Sequence, residues 1–141
     1  MSYVNPYAES LEQEVYTADP VRLVLMLLRG ARQAVEEARE GLREADVRRR
    51  ALAVSRAVER IGELSGSLDK ERGGEVASRL AVLYEYMVHR LNEANAGQVE
   101  APLEEVSRLL LPLIEAWGEV AVQWMEVRAP GSGESEVRAC A

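Results

Sequence analysis

The chain has 141 residues, enough for one domain whose core needs neither a metal nor disulfides. Its formal net charge of −7 and pI of about 4.9 set it against phosphate backbones, and its one cysteine, Cys140, has no partner within the chain. Residues 1–12 lack the basic start and apolar run of a signal peptide, and no apolar stretch approaches the length of a bilayer span, so a cytoplasmic protein with no nucleic-acid partner and no membrane insertion is expected.

Residues 1–18 form a polar N-terminal segment with Tyr3, Tyr7, Leu11, Val15 and Tyr16 as its apolar points. Asn5-Pro6 reads as a turn, and Tyr7, Leu11 and Val15 at i, i+4 and i+8 fit one face of a short helix. A helical domain is expected over residues 19–127. Its first helix opens at Asp19-Pro20, a capping residue followed by one with no amide to satisfy, and runs to about Leu42. Val24, Leu27, Ala31, Ala34, Val35, Ala38 and Leu42 make its core stripe, with Leu25 and Met26 off it.

The second helix is expected over residues 46–68, with Val47, Ala51, Val54, Ala57, Val58, Ile61, Leu64 and Leu68 inward and Arg48 to Arg50 a solvated start. Residues 69–74 read as a turn in which Gly73-Gly74 can take positive φ. The third helix spans about residues 75–95, with Val76, Leu80, Leu83, Met87, Leu91 and Ala94 inward and Gly97 closing it. The fourth opens at Ala101-Pro102 and runs to about Val127. Its stripe is Leu103, Val106, Leu110, Leu113, Trp117, Val120, Ala121 and Trp124, and Pro112, on the opposite side, is expected to kink it. Residues 128–141, rich in Gly, Ser and Pro, are expected to be a disordered tail. Four long helices with short connections predict an all-α, antiparallel four-helix bundle.

The sequence offers little to an enzyme. His89 is the only histidine and has Tyr86, not a glutamate, three residues before it, so a di-metal carboxylate site fails; one Cys and one His cannot close a zinc site. Gly73-Gly74 lacks the Lys-Ser or Lys-Thr of a phosphate loop, and no nucleophile has an evident base. No cofactor, metal or catalytic residue is expected. There is, however, more apolar surface than four stripes need. Leu25, Met26, Val82, Tyr86 and Leu111 all leave their stripes. They either fill a wide core or stand singly on the surface, which is ordinary, or they line grooves for partner helices.

The run Leu68-Asp69-Lys70-Glu71-Arg72-Gly73-Gly74-Glu75-Val76-Ala77, then Leu80, Leu83-Tyr84-Glu85-Tyr86-Met87 and Arg90-Leu91-Asn92-Glu93-Ala94-Asn95, resembles the flagellin export chaperone family, FliS. Asn5-Pro6-Tyr7 resembles its N-terminal tyrosine segment. Thr17-Ala18-Asp19-Pro20 with Leu23, Met26-Leu27 and Gly30 is similar to the opening of its first long helix, and Glu104-Glu105-Val106 with Glu115-Ala116-Trp117 to its last. The chain departs from the family at Leu28, usually aromatic, and at Leu111-Pro112-Leu113-Ile114, commonly charged or polar.

The resemblance implies a cytosolic chaperone that binds the C-terminal helical segment of flagellin, blocks premature polymerisation and keeps the subunit competent for the flagellar type III export apparatus. The expected partner-binding residues are Tyr7, Leu11, Leu25, Met26, Val82, Tyr86 and Leu111, with residues 1–18 as a cap over one client groove. The alternative is a small-ligand-binding or regulatory helical bundle.

Overall fold

The computed structural model describes residues 20–128, with side chains as far as Gln123. The N-terminal segment with Tyr7 and Leu11, the Asp19 cap, the Trp124 side chain and the tail with Cys140 lie outside the described residues. The four expected helices are α1 (Pro20–Arg43), α2 (Val47–Gly66), α3 (Lys70–Gly97) and α4 (Ala101–Arg128), and no strand occurs among the described residues. The chain is an all-α bundle. Asp46 caps α2 by accepting from the Arg49 amide at 3.0 Å, and Asp69 caps α3 by accepting from the amides of Glu71 and Arg72 at 3.1 Å.

The helices are neighbours in the ring order α1, α2, α3, α4, with α1 also against α4. Cross-helix bonds fix the sense. Glu37 pairs with Arg49 and Gly30 faces Arg60, so α1 and α2 run antiparallel. Glu36 bonds Ser107 while Arg39 and Arg43 bond Glu100, so α1 and α4 do too. At the α1–α2 hairpin the helices touch through backbone: a Cβ on Gly41 would lie 2.8 Å from the Arg50 nitrogen, so only glycine fits.

The core is built from Leu28, Val35, Ile61, Leu64, Met87, Leu91, Leu103, Val106 and Leu110, all fully buried. Several expectations need correction. Leu25 does not leave the core side; it is 6% exposed, and Leu28 is fully buried. The reason is that α1 packs on both α2 and α4, so its buried face is wider than one stripe. Leu25, Leu28, Arg32, Glu36 and Arg39 share one side by helical spacing, and Glu36 and Arg39 bond across towards α4. Arg50 is not solvated: it is 7% exposed, and its Nε donates to Asn95 Oδ1 at 3.1 Å, tying α2 to the end of α3. Val47, expected inward, is exposed at the first position of α2, where the neighbouring helix has already ended.

The third helix begins earlier than expected. Residues 70–73 already form a helical turn, and Gly74 (φ 52°, ψ −128°) breaks the axis before the helix resumes. The left-handed residue at its other end is Gln98 (φ 54°, ψ 46°), not Gly97, which stays helical. Tyr84 and Ala77 join the buried face of α3 while Val76 is exposed. Helix α4 continues from Ala101 to Arg128 through Pro112. Pro112 and Arg108, whose carbonyl loses its helical donor there, are both exposed, so water can satisfy it.

Candidate partner-binding surface

The two ends of the bundle are built differently. At the end holding the start of α1, the α2–α3 connection and the later part of α4, the helices surround an apolar cleft of about 430 Å³. Val24, Leu68, Val76, Leu80, Tyr84 and Trp117 line it, and Asp69 and Arg72 stand on its rim. Gly73 and Gly74 set its shape. A Cβ on Gly73 would lie 2.6 Å from the Ala77 Cβ, and the positive φ of Gly74 turns the first turn of α3 away from the rest. Val76, 68% exposed, stands on the resulting lip. Tyr84 lies deep in the cleft wall, its hydroxyl without a hydrogen bond among the described residues, and burial pushes its pKa up.

The expected site residues are not one patch. Met26, partly exposed, follows the spacing of Gly30, Gln33 and Glu37 on the α2 side of α1. Leu111, exposed, lies towards the Ser107 side of α4, which faces α1. Val82 (66% exposed) and Tyr86 (42% exposed) sit one turn apart on the outer face of α3. The Tyr86 hydroxyl donates to Glu105 Oε1 of α4 at 2.6 Å, and Arg90 donates to the same oxygen at 2.9 Å and to Glu93 at 2.6 Å. The bond to Glu105 pushes the Tyr86 phenol above its ordinary value, and bonds from Tyr86 and Arg90 hold Glu105 below its own. This is a clamp between α3 and α4 that leaves one edge of the Tyr86 ring open, not a proton-transfer pair.

Periodicity hid the cleft because Val24, Leu80 and Trp117 sit on core stripes and read as interior. The available signal was Gly73-Gly74, separated from Val76 only by Glu75, which says that the helix carrying the next apolar residues does not start in line. Among the described residues no three His, Cys, Asp or Glu side chains are grouped to hold a metal, and no helix is long and apolar enough to cross a membrane. His89 pairs with Glu93 at 2.7 Å on the surface of α3.

Comparison with known proteins adds the family. The family described as Flagellar protein FliS matches residues 3–124. The chain is 39% identical over 122 residues to the flagellar secretion chaperone FliS of Salmonella typhimurium, covering 85% of this chain and 90% of that one. It is 38% identical over 112 residues to the flagellar secretion chaperone FliSB of Pseudomonas aeruginosa, covering 79% and 89%. With FliS of Bacillus subtilis it shares 30% identity over 133 residues, 94% of this chain and 98% of that one.

Proposed function

Because the chain belongs to the FliS family of flagellar proteins, we propose that it is a cytoplasmic secretion chaperone that binds the C-terminal helical segment of flagellin and delivers it to the flagellar export apparatus. The observation that carries this reading is the open apolar cleft. A soluble bundle that leaves Leu80, Trp117 and Val76 around an unfilled volume of about 430 Å³ has a place for large apolar side chains from a partner. Flagellin's assembly helices are apolar and would associate early; covering them one turn at a time prevents that. The ordering entropy of the bound segment lowers the net affinity, which suits a chaperone that must release its client without a nucleotide.

Met26, Leu111, Val82 and Tyr86 stand on three different flanks, which suits a client that wraps around the bundle with its anchor in the cleft. Leu25, being buried, is left out of the contact set. Tyr7 and Leu11 belong to a segment that joins the bundle at Pro20, itself part of the cleft wall. That segment covers the cleft in the free protein and moves aside for the client, which lowers the apparent affinity by the stability of the covered state. Hydrogen exchange of residues 5–17 then speeds up when flagellin binds; slower exchange would mean that the segment clamps the client instead.

Co-purification with full-length flagellin and with flagellin lacking its C-terminal segment tests the main reading: only the first should be retained. One observation favours a second reading, a small-ligand site, because the cleft volume falls within the range of ligand pockets. Native mass spectrometry of the purified chain separates the two, since a resident compound adds its own mass.

A further inference from the structure

A second recess runs along the flank formed by α1 and α2, and its chemistry is the opposite of the cleft's. One hollow, of about 330 Å³, lies between Gly30, Gln33 and Glu37 of α1 and Arg56 and Arg60 of α2. Another, also about 330 Å³, continues past Glu37 and Arg56 to Leu52, Arg49 and Arg48. Glu37 and Arg56 border both, so the two form one groove. Arg49, Leu52, Arg56 and Arg60 stand at i, i+3, i+7 and i+11, a wall about 16 Å long at 1.5 Å per residue. Gly30 leaves the opposite wall low; a Cβ there would meet only the Arg60 side chain, at 3.4 Å.

The charges of this groove are unevenly used. Arg49 alone takes up three carboxylates, bonding Glu37 at 2.7 Å, Glu40 at 2.6 Å and Glu44 at 2.7 Å. Asp46 is committed to the cap of α2. Arg48, Arg56 and Arg60 make no ion pair or hydrogen bond among the described residues, although Arg56 is near enough to Glu37 to help lower its pKa and Glu59 and Glu63 are on the same helix. The chain carries 24 acidic residues against 17 basic ones, so three arginines without carboxylates along one groove are not explained by internal pairing. Leu52, 53% exposed, stands among them and offers an apolar anchor.

We propose that the α1–α2 groove docks an acidic helical segment of a second protein, about three turns long, with carboxylates on Arg56 and Arg60 and an apolar side chain against Leu52. Guanidinium forks suit paired carboxylates, and one apolar contact fixes the register. The groove lies across the ring from the α3–α4 clamp and shares no lining residue with the cleft, so a client anchored in the cleft and reaching Met26, one turn before Gly30, meets it only at that end. The inference does not depend on what the cleft binds.

The test is a selection of displayed 15-residue peptides against the full-length chain, repeated against the double variant Arg56→Glu/Arg60→Glu. Arg56 is exposed and Arg60 half-buried, and an unchanged melting curve verifies the variant's fold. Selected peptides should carry Asp or Glu at i, i+4 spacing with a nearby leucine, bind at least tenfold more weakly to the double variant, and lose affinity as salt rises. Amide shifts on titration of a selected peptide should map to residues 30–37 and 52–60. Neutral or basic winners, equal binding to the double variant, or shifts confined to the cleft would each overturn the proposal. So would phosphatidylglycerol vesicles or a short DNA duplex binding through the same arginines while no acidic peptide is enriched.

Discussion

The two ends of this bundle solve opposite problems. At the closed end, around the α1–α2 and α3–α4 connections, Gly41 brings two backbones into contact, Arg50 is buried against Asn95, and Arg39 and Arg43 converge on Glu100. These polar groups meet in defined, directional contacts. At the open end the lining is almost wholly apolar, α3 starts out of line at Gly74, and bulky side chains face an unfilled volume. Directional contacts hold one geometry, whereas apolar contacts are non-directional and accept many. The difference teaches where a bundle of this size can hold its fold and where it can take a partner. The closed end fixes the helix register, which allows the open end to remain unfilled.

The largest effect that tests this division is on binding. Leu80→Glu places a carboxylate in the cleft wall. If flagellin's C-terminal segment anchors there, affinity should fall on the order of 100-fold, since leaving a charge in an apolar contact costs a few kcal/mol and about 1.4 kcal/mol is tenfold. Val82→Glu, on the outer face of α3, should cost less than tenfold. Titration calorimetry with the isolated flagellin segment reads both, and equal losses would erase the distinction between cleft and flank.

The converse substitution belongs at the closed end. Gly41→Ala forces a Cβ to within 2.8 Å of the Arg50 backbone nitrogen, so the helices must separate. Overpacking of this kind typically costs about 1–3 kcal/mol. Denaturant unfolding should show that loss, while the remaining folded protein binds the flagellin segment as before. A change of affinity without a change of stability would mean that the two ends are not separate.

Acid sharpens the comparison through the polar contacts of the bundle. Partial burial pushes the Glu36 carboxyl up, but the hydrogen bonds from Ser107 and Arg39, with the charges of Arg39 and Arg32, outweigh it and hold it below the ordinary 4.5. Bonds from Arg43 and Arg39 hold Glu100 below the same value. A carboxyl with a lowered folded pKa contributes stability that is complete above the unfolded value and is lost as pH falls through the folded one. Unfolding free energy should therefore hold above about pH 5 and decline below 4.5. Ser107→Ala should shift the Glu36 titration, followed by carbon NMR, back towards higher pH. The cleft has no such carboxylate inside it, so its apolar contacts should not follow that titration.

The closed half was largely legible in the sequence, and the open half only in part. The expected start of the second helix at residue 46 falls within one residue of the observed one, and the stripe through Ile61, Leu64, Met87, Leu91, Leu103, Val106 and Leu110 gives the core, because a 3.6-residue repeat reports a helix with one buried side. It fails for α1, which has two buried sides, and so it misplaced Leu25 and missed Leu28. It also fails where a helix runs past its neighbours: Val76 and Val120 keep the core spacing yet are exposed. Periodicity says which way a side chain points but not whether another helix reaches that far. The arginine groove was illegible for a different reason. Arg48, Arg49 and Arg50 read as one solvated cluster, whereas the fold buries one, saturates another with carboxylates and leaves the third without a carboxylate among the described residues.

The smallest expected effect concerns two non-glycine residues with left-handed backbone among the described residues, both at the closed end. Ala45 has φ 56° in the α1–α2 connection, and Gln98 has φ 54° where α3 ends. A residue with a Cβ pays roughly 1–2 kcal/mol in that region, and glycine, which avoids it, loses back roughly 0.5–1 kcal/mol in unfolded-state entropy. Ala45→Gly and Gln98→Gly should each stabilise the chain by about 0.5–1 kcal/mol. Gln98 is the better test. Its amide closes the α3 helix onto the Ala94 carbonyl, and its side chain is exposed with no bond among the described residues, so the substitution changes little besides backbone preference. Urea unfolding at constant m-value measures it. If the closed end is the part that fixes the fold, the gain appears in stability while affinity for the flagellin segment stays constant. A gain in stability accompanied by weaker binding would show that the bend at Gln98 sets the angle between α3 and α4, and that the cleft depends on a strain held at the opposite end of the bundle.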